Sequence, residues 1–245
     1  VFCKSMLILN SFKCLIVKQK SRYQLTTTSP TYQSGSIYYQ SKLNLNYDFQ
    51  LDFEINLGNN GNGADGMMFI LQPVSSSLGG NGGNLGFSGI GPSVGIEFDT
   101  WKNVWASDPQ NDHISFQRNG NLRHNTGGYL DATRVYEQIP NMENGADHPV
   151  SIRWNAATKE LTYIYRNRPA QTVTQDIVNT IFGGNPNVFW GWTGSTGSAV
   201  NNHKVCVVDV NFVAGLTLDA DITDVPCEGA GMIDLTVSGG IPGYT

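Results

Sequence analysis

Between positions 97 and 113 the chain reads EFDTWKNVWASDPQNDH, and this stretch gathers Glu97, Asp99, Asn103, Asp108 and His113. On a β-strand side chains alternate with period two, so Glu97, Asp99 and Trp101 fall on one face. Two carboxylates on one face repel each other unless a proton or a cation sits between them. Asn103, Asp108 and His113 arrive from the segment behind. Carboxylate and amide oxygens suit Ca²⁺, whereas an imidazole nitrogen suits a transition ion such as Mn²⁺. A mixed donor set with shared carboxylates reads as two adjacent cations. The plainer alternative is a polar loop with incidental acids.

A hydrolase could begin the same way. Glycosidases on β-sandwiches carry an E-x-D-x-x-E type of pattern, in which the two Glu act as nucleophile and acid. After Asp99 this chain has Thr100, Trp101, Lys102 and Asn103, so the second Glu, and with it the proton donor, is missing. No enzyme is expected. The segment GNGADG places Gly61, Gly63 and Gly66 in a G-x-G-x-x-G pattern. That pattern holds a pyrophosphate only between a strand and a helix N-terminus. Here it precedes MMFILQP, a short apolar run closed by Pro73, which reads as a strand. Nucleotide binding is therefore set aside.

The elements that must position these residues are strands. In FQLDFEINL, Phe49, Leu51, Phe53, Ile55 and Leu57 alternate with polar residues, the mark of a half-buried strand. VSIRW repeats it with Val150, Ile152 and Trp154, and LTYIY with Leu161, Tyr163 and Tyr165. Gly- and Asn-rich clusters such as GNNGNG and GGNGGNLG separate the strands. Helix signals are nearly absent; QDIVNTIFGG allows one short turn ending at Gly183. The class expected is all-β, an antiparallel sandwich or jelly roll.

The 245 residues are 40% hydrophobic and 14% charged, with a formal net charge of −5. No global field favours nucleic acid. No apolar run reaches the roughly 20 residues of a membrane helix; MLILNSFKCLIV is broken by Asn10, Ser11 and Lys13 and does not read as an intact signal peptide. A chain opening on Val1 reads as a mature form or a fragment. Lys4, Lys13, Lys18, Lys20 and Arg22 make residues 1–22 a basic arm or edge strand. Cys3, Cys14, Cys206 and Cys227 have no zinc spacing, and the sequence does not pair them. His148 is expected to be structural, and His124 and His203 to lie at the surface or at strand ends. From Thr217 the texture changes, and residues 217–245 look like the start of a truncated β repeat, too short to bury a core alone.

EFDTWKNVWASDPQNDHI resembles the metal-binding signature of the L-type (legume) lectins. GADGMMFILQP resembles that family's strand bearing the sugar-binding Asp, GGNGGNLGF its Gly-rich sugar-binding loop, and WGWTGSTGSAVNNH its late strand and specificity loop. All four agree in order and spacing across most of residues 23–215, and the nearest variant is the lectin-like domain of large bacterial surface proteins. The resemblance implies a concanavalin-like antiparallel β-sandwich over 23–216 that binds carbohydrate without altering it. It implies that Glu97, Asp99, Asp108 and His113 hold a second ion, Mn²⁺ or similar. Asp99, Asn103, Asp108 and the Trp101 carbonyl would hold Ca²⁺. Asp65, beside a cis Ala64–Asp65 peptide, would accept from sugar hydroxyls. Asn103 and the Gly83 N–H would donate, and the Trp101 ring, where the family has Phe or Tyr, would lie under the sugar. Ser198 and Ala199 would belong to the specificity loop, which matches no pattern tied to one sugar.

The tail from Asp221 to Thr245 resembles the opening of the SprB-type repeat of gliding-bacterial adhesins. It implies further repeats of the same chain and display at the cell surface, facing extracellular glycans. The alternative for the tail is pairing with an edge of the sandwich. The alternative for the domain is a structural adhesin module that keeps the metal site and lacks sugar binding.

Overall fold

The computed structural model describes residues 22–76, 79–110, 112–125, 127–130 and 136–212, and the backbone of two strands at 217–223 and 232–238. Two antiparallel sheets face each other. One has the order β1 (Arg22–Gln24), β13 (Lys204–Phe212), β4 (Phe49–Asn56), β9 (His148–Asn155), β10 (Glu160–Tyr165), β11 (Gln171–Thr174). The other has the order β2 (Ser34–Tyr38), β12 (Asn187–Ser195), β5 (Gly66–Gln72), β6 (Val94–Asp99), β7 (Asp112–Arg118), β8 (Glu137–Ile139), with β3 (Leu43–Asn44) also on β12. The fold is the concanavalin-like antiparallel β-sandwich that the alternating runs and the resemblance imply. Among the described residues no helix is long and apolar enough to cross a membrane.

The two sheets differ in a way that prepares the site. β4 alternates buried and half-buried along its length, and β9 and β10 alternate likewise, each with one wet face. β5 and β6 are buried at every position. Their inward side chains, Met67, Phe69, Leu71, Ile96 and Phe98, join the main core. That core is tied together by Trp192, whose ring centroid lies 5.2 Å from Phe53 and 5.5 Å from Phe98. Their outward side chains are covered by loops. Met68 and Ile70 pack beneath Leu85, Phe87, Ile90 and Leu122 in a second, smaller cluster. Glu97 and Asp99, on that same outward face, are therefore buried rather than solvated.

GNGADG leads directly into β5 and not into a helix, as the short apolar run closed by Pro73 indicated. Among the described residues there is one α-helical turn, α1 (Ile177–Thr180), capped by Asp176, whose carboxylate accepts from the Asn179 amide. At the tail, β14 (Thr217–Thr223) and β15 (Met232–Ser238) pair with each other, Ile222 opposite Ile233 and Leu218 opposite Val237. Their ladder is a separate two-stranded sheet. The basic arm lies outside the described residues except for Arg22, which opens β1. Cys206 is buried on β13; Cys3, Cys14 and Cys227 lie outside the described residues.

His203, at the entrance to β13, is wholly buried, its Nδ1 2.8 Å from the Thr26 hydroxyl. Burial pushes its pKa down to about 3. The unfolded chain, at the ordinary histidine value near 6.5, takes up the proton first as pH falls, so folding loses stability from about pH 6.5 down to about 3. The unfolding free energy of the wild type relative to His203→Gln should therefore fall by up to about 1.4 kcal/mol per pH unit across that window. Denaturant melts at several pH values check this, and parallel profiles would refute it.

Candidate functional site

The antiparallel register between β6 and β7 places Asp99 opposite His113 and Glu97 opposite Ser115. All four side chains are nearly or wholly buried on the loop-covered face of the sheet. Gln117, two residues further along β7, donates to Glu97 Oε2 at 2.8 Å and to Ser115 Oγ at 3.0 Å. Beyond β6 a 3-10 turn at Val104–Ala106 folds the following loop back over this face. Asp108 returns on that loop. Its Oδ2 accepts from the Asn103 amide at 2.6 Å, and its Oδ1 is buried with no hydrogen-bond partner among the described residues. Asp99 Oδ1 accepts from the Trp101 amide at 2.7 Å.

One member of the cluster was not expected. His124 is buried, and its Nε2 lies 3.0 Å from His113 Nε2, 3.3 Å from Glu97 Oε2 and 3.4 Å from Asp108 Oδ1. It is not a surface residue. The turn after β7, closed by the Arg118–Asn121 bridge, reverses the chain, and the His124 amide then donates to the Ala106 carbonyl at 2.8 Å. The trace of this in the sequence is the turn RNGN (Arg118–Asn121) between two histidines. His148 has the structural role expected, with Nε2 2.9 Å from Asn144 Oδ1 and 2.7 Å from Arg166 Nη2.

The electrostatics are those of a site short of positive charge. Burial, reinforced by Glu97 and Asp108, pushes the Asp99 carboxyl well above the usual carboxylate range. Burial also pushes Asp108 up to about 6, against the pull of the Asn103 amide. Burial opposes ionisation of Glu97 too, but the hydrogen bond from His124 and the charges of His113 and His124 outweigh it and hold Glu97 low. Ligand atoms of Glu97, His113 and His124 lie within 4.8 Å of one another, as do those of Asp99, Asp108 and His113. Carboxylates and imidazoles converging on partnerless buried oxygens fit bound cations.

Asp65 stands beside this cluster, after a cis Ala64–Asp65 peptide. Its backbone is clamped: its N–H donates to the Ser195 carbonyl at 3.0 Å, and its carbonyl accepts from the Thr100 amide and hydroxyl at 2.9 and 3.0 Å. The side chain is 3% exposed, and Oδ2 has no hydrogen-bond partner among the described residues. Burial lifts the carboxyl to about 7 against the Gly197 amide. The Gly-rich loop is fixed to the exit of β12 by the Gly82 amide on the Thr196 carbonyl at 3.0 Å and the Ser195 hydroxyl on the Gly82 carbonyl at 2.5 Å. A third loop joins them, the Tyr32 amide donating to the Gly197 carbonyl at 2.9 Å. Gly83 packs on Asn103 so closely that a Cβ there would come within 2.2 Å of Asn103 Oδ1, itself buried and without a partner among the described residues. Trp101 is 40% exposed. Ser198 is exposed and Ala199 half-buried on the bend after β12.

Residues 8–209 match the family described as the legume lectin β-barrel domain. The chain belongs to the L-type lectin family. It is 30% identical over 209 residues to the serine-rich adhesin for platelets of Staphylococcus aureus, covering 74% of this chain and 9% of the adhesin. It is 25% identical over 221 residues to the pesticidal crystal protein Cry22Aa of Bacillus thuringiensis, covering 79% of this chain and 31% of that protein. The chain thus spans a third or less of these relatives. Among solved structures, the Bauhinia forficata lectin in complex with GalNAc superposes with a TM-score of 0.62 at 17% identity, over 79% of this chain and 92% of that one. Lectin II from Ulex europaeus superposes with a TM-score of 0.60 at 22% identity, over 74% of this chain and 82% of that one.

Gly83→Ala should drive a methyl group into the Asn103 amide and displace it. Because Gly83 lies outside the core, the fold should persist while any divalent-cation affinity of the cluster drops by about tenfold. Calorimetric titration of Ca²⁺ into wild type and variant checks this; equal affinities would show that Asn103 is not coupled to the cation.

Proposed function

We propose that residues 23–216 form a Ca²⁺-dependent, non-catalytic carbohydrate-binding domain of an exported, surface-displayed adhesin. The observation that carries this reading is Asp65. A buried carboxylate oxygen with no described partner, on a backbone clamped from both sides, is an acceptor waiting for a donor from outside the chain. Beside it, Asn103 presents an amide packed under the Gly-rich loop.

In this reading Asp99, Asn103, Asp108 and the Trp101 carbonyl hold Ca²⁺, and Glu97, Asp99, Asp108 and His113 contribute to a second ion. Bound cations neutralise the carboxylates and fix the loop from Thr100 to Asp108, which lowers the ordering cost of binding. Asp65 then accepts from two sugar hydroxyls, while the Asn103 amide and the Gly83 N–H donate. The half-exposed Trp101 ring covers an apolar sugar face, and Ser198 and Ala199 border the sugar and select among its epimers. A site of this kind suits hydroxyl-rich ligands because its donors and acceptors are rigid and few.

Surface display is supported by the likeness to the Staphylococcus aureus adhesin. The tail hairpin, whose strands pair with each other and not with the sandwich, suits the start of a further β repeat. We read that repeat as SprB-type from its sequence resemblance alone, and extracellular glycans as the partners.

A glycan array probed in millimolar Ca²⁺ and again in EDTA tests the reading. Binding to at least one glycan class, lost in EDTA and lost in Asp65→Ala with an unchanged circular dichroism spectrum, is expected. An array that stays silent in Ca²⁺ would leave the structural-module alternative standing in its place.

A further inference from the structure

The calcium half of the cluster does not account for its deeper end. There two imidazoles meet, and the ligand atoms of Glu97, His113 and His124 converge within 4.8 Å of one another. His113 Nε2 and His124 Nε2 are 3.0 Å apart; Glu97 Oε2 lies 3.7 Å from the first and 3.3 Å from the second. Asp108 Oδ1, buried and without a hydrogen-bond partner among the described residues, lies 3.4 Å from His124 Nε2. Ligands about 2.0–2.1 Å from a tetrahedral ion stand about 3.3 Å from one another. The three separations within the Glu97, His113 and His124 triad, 3.0, 3.3 and 3.7 Å, bracket that value.

His124 is also prepared for such a role. Its Nδ1 lies 2.6 Å from the Tyr129 hydroxyl oxygen. With the proton on Nδ1 and donated to that oxygen, Nε2 turns its lone pair toward the cluster. Three bonds lay its segment along the metal loop. The His124 amide donates to the Ala106 carbonyl, Arg123 Nη1 donates to the Trp105 carbonyl at 2.6 Å, and Asn125 Nδ2 donates to the Ser107 hydroxyl at 2.6 Å. The ring is thereby held in place before any ion arrives.

We propose that His124 is a metal ligand, and that Glu97, His113 and His124 form a two-histidine, one-carboxylate site for Zn²⁺, with water at the fourth position. The resemblance implied one imidazole and an ion such as Mn²⁺; a second imidazole moves the donor set away from the oxygen-rich environment that Mn²⁺ and Ca²⁺ favour and toward zinc. The inference rests on the metal centre proposed above, but not on its binding a glycan.

X-ray absorption on the Zn²⁺-loaded wild-type protein, in millimolar Ca²⁺, counts the imidazoles directly. Two imidazoles with Zn–N near 2.0–2.1 Å are expected; one or none would overturn the proposal, and would mean that the two rings share a hydrogen bond instead. In His124→Gln, calorimetry should find Zn²⁺ bound at least about tenfold more weakly. Mn²⁺ should be affected less, so the preference for zinc shrinks. Wild-type zinc affinity in a folded His124→Gln would overturn it as well. If the variant does not fold, the absorption measurement alone decides. A protein that shows two imidazoles on zinc but binds no glycan would sink the lectin reading and leave this one intact. Glycan binding with a single imidazole would do the reverse.

Discussion

The site depends on one electrostatic constraint: Asp99, Glu97 and Asp108 are buried together on a sheet face that loops have sealed from water. Like charges at such distances in a low-dielectric setting cannot all ionise without a counter-charge. His113 and His124 supply part of it, enough to hold Glu97 low, yet Asp99 remains pushed far up. A divalent cation resolves the conflict more completely than protons do. It can meet several carboxylates at once and also take up the partnerless oxygens of Asp108 and Asn103.

The remaining architecture conveys that constraint to the surface. The twisted pair β5 and β6 carries Asp65 at one end and Asp99 at the other side of the same junction, Gly66 lying opposite Asp99 in the ladder. The Thr100 amide and hydroxyl grip the Asp65 carbonyl, so the backbone next to the carboxylate–imidazole cluster also holds the backbone of the buried Asp65. On the other side the Gly-rich loop, the exit of β12 and the Tyr32 loop are hydrogen-bonded into one rim. Each loop is irregular by itself, and each is fixed by its neighbours. The carboxylate–imidazole cluster, Asp65 and the rim are therefore held as one unit, and a change such as a Cβ at Gly83 is felt at Asn103.

Much of this was legible in the sequence, and the limits have physical causes. Strict alternation in FQLDFEINL reported one wet and one dry face, and β4 has that pattern. β5 and β6 are dry on both faces because loops cover them, and a continuous apolar run such as MMFIL does not say what covers it. The clustering of Glu97, Asp99, Asp108 and His113 was legible because these residues sit close in sequence. His124 was not, because its place depends on a chain reversal and on a backbone bond to Ala106 that leave little trace in residue spacing. The contact between Gly83 and Asn103, and the clamp on Asp65, likewise join segments whose proximity only the folded sheet creates.

The central claim is that a bound cation organises the sugar-facing loops, and thermal unfolding during Ca²⁺ titration of chelator-stripped protein tests it most directly. A ligand that binds only the native state stabilises it by about 2.7 kcal/mol at a concentration one hundred times its Kd. For a domain of this size that corresponds to a rise of roughly 5–10 °C in Tm. The account predicts a saturable rise of that order with Ca²⁺, absent in Asp99→Asn. A Tm that does not move with Ca²⁺ would contradict it.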